Sequence, residues 1–161
     1  MDVSYINPFV QGSQKVFSNL CKETPSLGRV FVKAPPYKTS PITVSIGLKG
    51  DLKGEVVYNM EDEVGCYLAY LMMAGLETTT LKTSPMAQSA VCELANIISG
   101  HVATLFSGKG YIIDIEPPIF RFTPTHADFP TAAKMQKIIC VPLSFQNGYV
   151  FEIDVMIPQT V

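Results

Sequence analysis

The sequence has no tryptophan and only two histidines, and charged residues make up just 16% of its 161 positions. His101 and His126 stand apart, with no neighbouring Cys or His to complete the roughly four-ligand set of an ordinary zinc site. A basic excess is also missing. The 12 Lys and Arg face 14 Asp and Glu, a formal charge of −2, which leaves no footprint for nucleic acid or anionic lipid. Cys21, Cys66, Cys92 and Cys140 never form a CxxC pair, and each lies in an apolar pattern. Buried free thiols in a reducing compartment are therefore expected. Met1-Asp-Val-Ser-Tyr-Ile-Asn7 has neither the basic region nor the apolar run of a secretion signal. The longest uncharged apolar stretches, such as Leu94–Gly108, fall short of the ~20 residues a membrane span requires. These absences predict a cytoplasmic protein with no nucleic-acid and no membrane partner.

What is present is 47% hydrophobic residues, enough to exclude disorder over most of the length. A chain of this size suits one domain, residues 1–161, that builds a core without staples. Ile6, Phe9, Val10, Val16, Phe17 and Leu20 recur at helical spacing, with Asn7-Pro8 offering an N-cap and a first-turn proline. Val30, Val32 and Ala34 alternate, as do Val44, Ile46 and Leu48, then Val56, Tyr58 and Met60, so each group predicts a strand. Lys49-Gly-Asp-Leu-Lys-Gly54 turns the last two into a hairpin. Glu61-Asp62-Glu63 complements the positive end of a helix bearing Val64, Leu68 and Leu71, which Gly75 closes. A longer helix is predicted from about Ser84-Pro85 to Phe106, ended by Ser107-Gly-Lys-Gly110 as a C-cap instead of a phosphate loop. Strands follow at Tyr111–Ile115 and Ile119–Phe122, then a long loop around Thr123–Lys134, then a hairpin turned by Asn147-Gly148. The predicted fold class is α+β, a mainly antiparallel sheet with about three helices packed on it.

The long helix carries the informative pattern. With Ala87 at zero and about 100° per residue, Val91, Leu94, Ile98, Val102 and Leu105 form a core stripe. Ser89, Glu93, Asn96 and Gly100 form a row on the opposite side. Composition alone reads that row as a solvated face, yet Gly100 costs about 1 kcal/mol against alanine in mid-helix and adds no packing. What it supplies is room for another molecule to approach. Acyl transfer does not fit, because Ser89 lacks a GxSxG elbow and His101 falls beside the core stripe. Cys92 has no basic neighbour to activate it.

Ser89-Ala-Val-Cys-Glu93-Leu-Ala-Asn96-Ile-Ile-Ser-Gly100 resembles the [Asp/Ser]xxxExxN motif of the CheC/CheX/FliY phosphatases, followed by the glycine usual in CheX. Pro117 or Pro118 fits the proline found some twenty residues later in that pattern. Ile6-Asn-Pro-Phe9, Gly47-Leu-Lys-Gly50 and Gly54-Glu-Val-Val57 resemble the start and first hairpin of CheX in order and spacing. The resemblance implies a CheC-like fold and a phosphatase of phosphorylated CheY-type receiver domains. In it Asn96 would hold the attacking water, Glu93 would engage the receiver's lysine, and Ser89 and Gly100 would border the partner. It also implies a homodimer, no cofactor of its own, no metal site, and Mg2+ held by the receiver. Gln11-Gly-Ser-Gln14-Lys-Val-Phe-Ser-Asn19 lacks a Glu three residues before Asn19, so one site per chain is expected. A non-catalytic module that docks a receiver or a flagellar-switch partner is the competing reading of the same face.

Overall fold

The computed structural model describes residues 3–75 and 77–158. Met1, Asp2, Leu76 and the last three residues lie outside it, so the one-domain expectation for 1–161 extends beyond what is described. Among the described residues there are four α-helices: α1 (Asn7–Cys21), α2 (Asp62–Met72), α3 (Pro85–Ser107) and the single turn α4 (Pro130–Ala133). The strands are β1 (Ser26–Leu27), β2 (Phe31–Lys33), β3 (Ile42–Gly50), β4 (Gly54–Met60), β5 (Ile113–Ile115), β6 (Ile119–Phe122), β7 (Ile138–Ser144) and β8 (Val150–Met156). They form one antiparallel sheet in the order β1-β7-β8-β4-β3-β5, with β2 also on β7 and β6 also on β3.

The predicted α+β class is the observed one, with several local differences. Helix α1 starts at Asn7 itself; Ile6 holds the N-cap position without a side-chain cap, and Pro8 occupies the first turn. The predicted strand at Tyr111–Ile115 begins at Ile113, because Tyr111 still donates its N–H to Phe106 O at the end of α3. At that end the positive φ of 90° belongs to Gly110, while Gly108 stays helical. The loop at Thr123–Lys134 contains two helical turns. Thr125 and Asp128 form a capping box on a 3-10 turn at His126–Asp128, and Pro130 opens α4. At the last hairpin only Gly148 takes positive φ, 88°, and its N–H reaches Phe145 O. That is a type I turn with glycine in the left-handed position, the longer of the common hairpin turns.

Helices α1, α2 and α3 cover one face of the sheet. Phe17 packs edge-on against Phe145 and Phe151 at 5.1 and 5.0 Å between centroids, and Leu94, Ile98, Ile46 and Tyr58 are buried in the same core. Close crossing of α1 and α3 depends on Gly12, where an added Cβ would lie 2.9 Å from Val102 Cγ2. Gly12→Leu is therefore expected to overpack this crossing and cost about 1–3 kcal/mol, read as a lower urea midpoint with an unchanged slope.

The opposite face is covered too. Tyr37, Phe129, Ala132, Ile138, Cys140, Val57 and Met156 form a second, smaller core under the Thr123–Lys134 segment. Beside it lies a polar group the sequence reading did not find. Lys33 Nζ pairs with Glu152 Oε1 and, at 3.0 Å, with Asp154 Oδ2, which also accepts from Tyr37 Oη at 2.5 Å and Asn59 Nδ2 at 3.1 Å. Burial, reinforced by the Glu152 carboxylate, pushes the Asp154 carboxyl up to about 7, against the pull of Lys33 and Tyr37. Burial lowers the Lys33 ammonium, but Asp154 and Glu152 outweigh it and leave it raised.

The folded chain thus keeps a proton on Asp154 that the unfolded chain, with the ordinary value of 3.8, has released. This group's contribution to stability is complete below 3.8 and is lost as pH rises toward 7, by up to about 1.4 kcal/mol per pH unit. Urea melts of wild type and Asp154→Asn between pH 4 and 8 test this, with a shallower decline expected for the variant.

Candidate active site

Helix α3 presents the row predicted from the sequence, and its start is well anchored. Ser84 caps it, its Oγ accepting from Ala87 N at 3.3 Å, and Pro85 fills the first turn. Gln88 Nε2 donates to Leu81 O at 2.7 Å. Asp62 and Glu63 lie in the first turn of α2, as expected, and Asp62 also accepts from Thr80 Oγ1 at 2.5 Å and Leu81 N at 2.9 Å, tying that helix start to the segment before α3. With 23 residues α3 is apolar enough by length and composition to cross a membrane. Its uncharged stretch Leu94–Gly108 alone is shorter than the ~20 residues of a span, whereas the whole helix, which includes Glu93, is long enough. Here its apolar side packs on α1, α2 and the sheet.

Ala87, Val91, Leu94, Ile98 and Val102 are buried as the helical wheel requires. Leu105 is only half-buried, and Phe106 takes the deep position beside Phe9. Ala95 and Ser99 are also buried, since the two neighbouring helices widen the covered arc beyond one stripe. Ser99 Oγ lies 2.8 Å from Tyr58 Oη, a polar tie between the underside of α3 and β4. Burial raises the Tyr58 hydroxyl, with the Ser99 bond acting the other way.

On the outer side Ser89 and Glu93 are exposed, and Asn96 and Gly100 are half-buried. A Cβ at Gly100 would meet no atom within 4 Å. Among the described residues no side-chain hydrogen bond or ion pair engages Ser89, Glu93 or Asn96. The carboxylate and carboxamide therefore remain available on a rigid helix that is held from below. His101 is half-buried and twelve residues from Ser89, about 18 Å of helix rise, so the two are not brought together. Cys92 is half-buried, with its thiol raised by burial. All four cysteines are free, but Cys66 and Cys92 are half-buried where full burial was expected.

Pro117 and Pro118 join β5 to β6 on the edge of β3 that α3 overlies. Just before them Glu116 N donates to Gly47 O at 2.8 Å, and its side chain lies where a Cβ on Gly47 would come within 2.8 Å of Glu116 Cδ. Gly50, at φ 103°, likewise faces Ile112 O. The two glycines of Gly47-Leu-Lys-Gly50 are thus needed for close passage of the β5 segment beside β3.

As for metals, the outer row of α3 offers one carboxylate, too few for a hard cation by itself. Cys140, Glu152 and Asp154 place three possible ligand atoms within 4.8 Å of one another on the other face of the sheet. Lys33 already supplies the positive charge there. The period-two pattern of β8 points Glu152 and Asp154 away from the helices, which was a legible signal; their lysine comes from a distant edge strand and was not.

The helix-covered antiparallel sheet is shared with known CheC-like proteins. A CheC-like superfamily protein from a Shewanella species superposes with a TM-score of 0.77 at 24% identity, over 96% of this chain and 98% of that one. The crystal structure of a CheX-CheY-BeF3-Mg2+ complex from Borrelia burgdorferi contains a chain with a TM-score of 0.80 at 23% identity, covering 98% of this chain and 100% of that chain. In sequence, a CheY-P phosphatase CheX from Thermotoga maritima is 25% identical over 118 residues, 73% of this chain and 75% of the relative. Residues 42–143 match the family model described as chemotaxis phosphatase CheX. The chain belongs to the CheX family of chemotaxis phosphatases.

Proposed function

We propose that this protein hydrolyses the aspartyl phosphate of a CheY-type response regulator, using the outer face of α3. The observation that carries this reading is the pairing of unengaged Glu93 and Asn96 on one face, with open space over Gly100 one turn beyond. Asn96 orients the attacking water. A carboxamide donates and accepts hydrogen bonds, so it aligns water without needing a pKa near neutrality. Glu93 engages the receiver's lysine, and Ser89 and Gly100 border the docked partner.

Magnesium in the receiver's own acidic pocket supplies charge neutralisation for the phosphoryl group. This chain contributes no metal ligand and no cofactor. The decisive experiment incubates the protein with phosphorylated receivers and magnesium and follows phosphate loss. Accelerated loss supports the phosphatase; receiver binding without acceleration makes the protein a docking module instead. Calorimetric titration of the isolated protein with magnesium is expected to give no micromolar binding. Binding that vanished in Glu93→Gln would make it a metal-dependent phosphatase in its own right.

A homodimer is part of the same reading. Support comes from the β1–β2 edge, where Leu27, Val30, Phe31 and Val32 are 40–52% exposed. Sedimentation of wild type against Phe31→Glu tests it, with a shift toward monomer expected. A cytoplasmic setting agrees with four free thiols.

A further inference from the structure

A cleft of about 550 Å³ opens beside α2, and no residue of the row on α3 lines it. Glu63, Tyr67 and Tyr70 lie along one face of α2 at i, i+4 and i+7, with Cys66 beside them, and Tyr149 from the last hairpin and Glu77, Thr78 and Thr79 from the loop after α2 complete the walls. Tyr67 and Tyr149 meet at 73° with centroids 5.4 Å apart, forming a corner. The corner is braced from outside. Tyr67 Oη donates to Glu23 Oε2 at 3.2 Å, and Glu23 Oε1 accepts from Gln146 N at 2.6 Å. Tyr70 is 44% exposed, and its Cε2 sits 3.8 Å from where a Cβ on Gly75 would be.

The chemistry of the cleft is one-sided. Three tyrosine rings line it, Glu63 and Glu77 add carboxylates, and among the described residues no lining side chain is cationic. An anion would meet like charge, and a neutral polar ligand would find the hydroxyls of Thr78 and Thr79 but no charge to pair with, whereas a cation meets both aromatic rings and full carboxylate charges. Rings set at a steep angle suit a round ammonium head, which touches several faces at once; a planar guanidinium favours a single parallel face.

We propose that this cleft binds an alkylammonium group, either of a small organic cation or of a lysine side chain. The site is separate from the α3 face and does not rest on the phosphatase reading. Choline serves as the free ammonium and N-acetyl-lysine-methylamide as the side chain, with 3,3-dimethyl-1-butanol as the neutral isostere of choline. Binding is followed on the full chain by NMR shifts of the tyrosine rings.

Saturable binding of choline, at least 5-fold tighter than of the isostere, is expected. Tyr70→Leu should weaken it about 3- to 10-fold, and because that ring is partly exposed the variant should keep its fold; Glu63→Gln should weaken it and reduce its salt dependence. Tighter binding of the lysine derivative would identify the source as a protein side chain, and tighter binding of choline a free cation. Equal affinity for the neutral isostere, no saturation by either cation at concentrations up to about 10 mM, ten times a Kd of about 1 mM, or an unaffected Tyr70→Leu variant would overturn the proposal.

Discussion

Asn96→Ala is expected to lower receiver dephosphorylation on the order of a hundredfold, the scale of losing one preorganised polar group at a reacting centre. The fold should be unaffected, because Asn96 faces outward and no other side chain depends on it. Single-turnover assays against a phosphorylated receiver, with thermal melting in parallel, separate the two effects. Near-wild-type turnover would remove Asn96 from the mechanism. Glu93→Ala should behave differently, weakening receiver affinity as well as rate, since its proposed partner is a lysine across the interface. An unchanged Kd in that variant would contradict the assigned role and leave Glu93 as surface charge.

Gly100→Leu is expected to abolish receiver binding without lowering stability. Leucine is a better helix former than glycine by nearly 1 kcal/mol, and a side chain at this position starts in open space. The Tm should therefore hold or rise while a bulky group stands where the partner is proposed to dock. Comparison with Gly12→Leu makes the test sharp. Both substitutions remove a helical glycine, but Gly12 faces Val102 across a helix crossing and Gly100 faces nothing. Receiver binding retained by Gly100→Leu would place the docking surface elsewhere on the chain.

The row on α3 was legible because helix geometry is local. Spacing of 3.6 residues per turn fixes which side chains share a face whatever the helix packs against, and Ser84-Pro85 and Ser107-Gly-Lys-Gly110 mark both ends. The strands were legible for the same reason, since alternation in β3, β4, β7 and β8 requires only that one face be buried. Capping at Thr125 and Asp128 with Pro130 was also present in the sequence, but Pro and Thr at this density read as a loop because each turn is only three or four residues long.

Sequence by itself determined the α+β class, the helix that carries Glu93 and Asn96, and their position opposite its core stripe. Each depends on periodicity within one segment. Tertiary structure decided what depends on segments meeting. It widened the buried arc of α3 to Ser99 and bound that residue to Tyr58 on β4. It joined Lys33 of an edge strand to Glu152 and Asp154 of β8, more than a hundred residues away in the chain. It also made a tyrosine corner from α2 and the last hairpin. Such contacts arise from sheet order and helix crossing, and no local pattern encodes which distant side chain will stand opposite a given residue once the chain has closed.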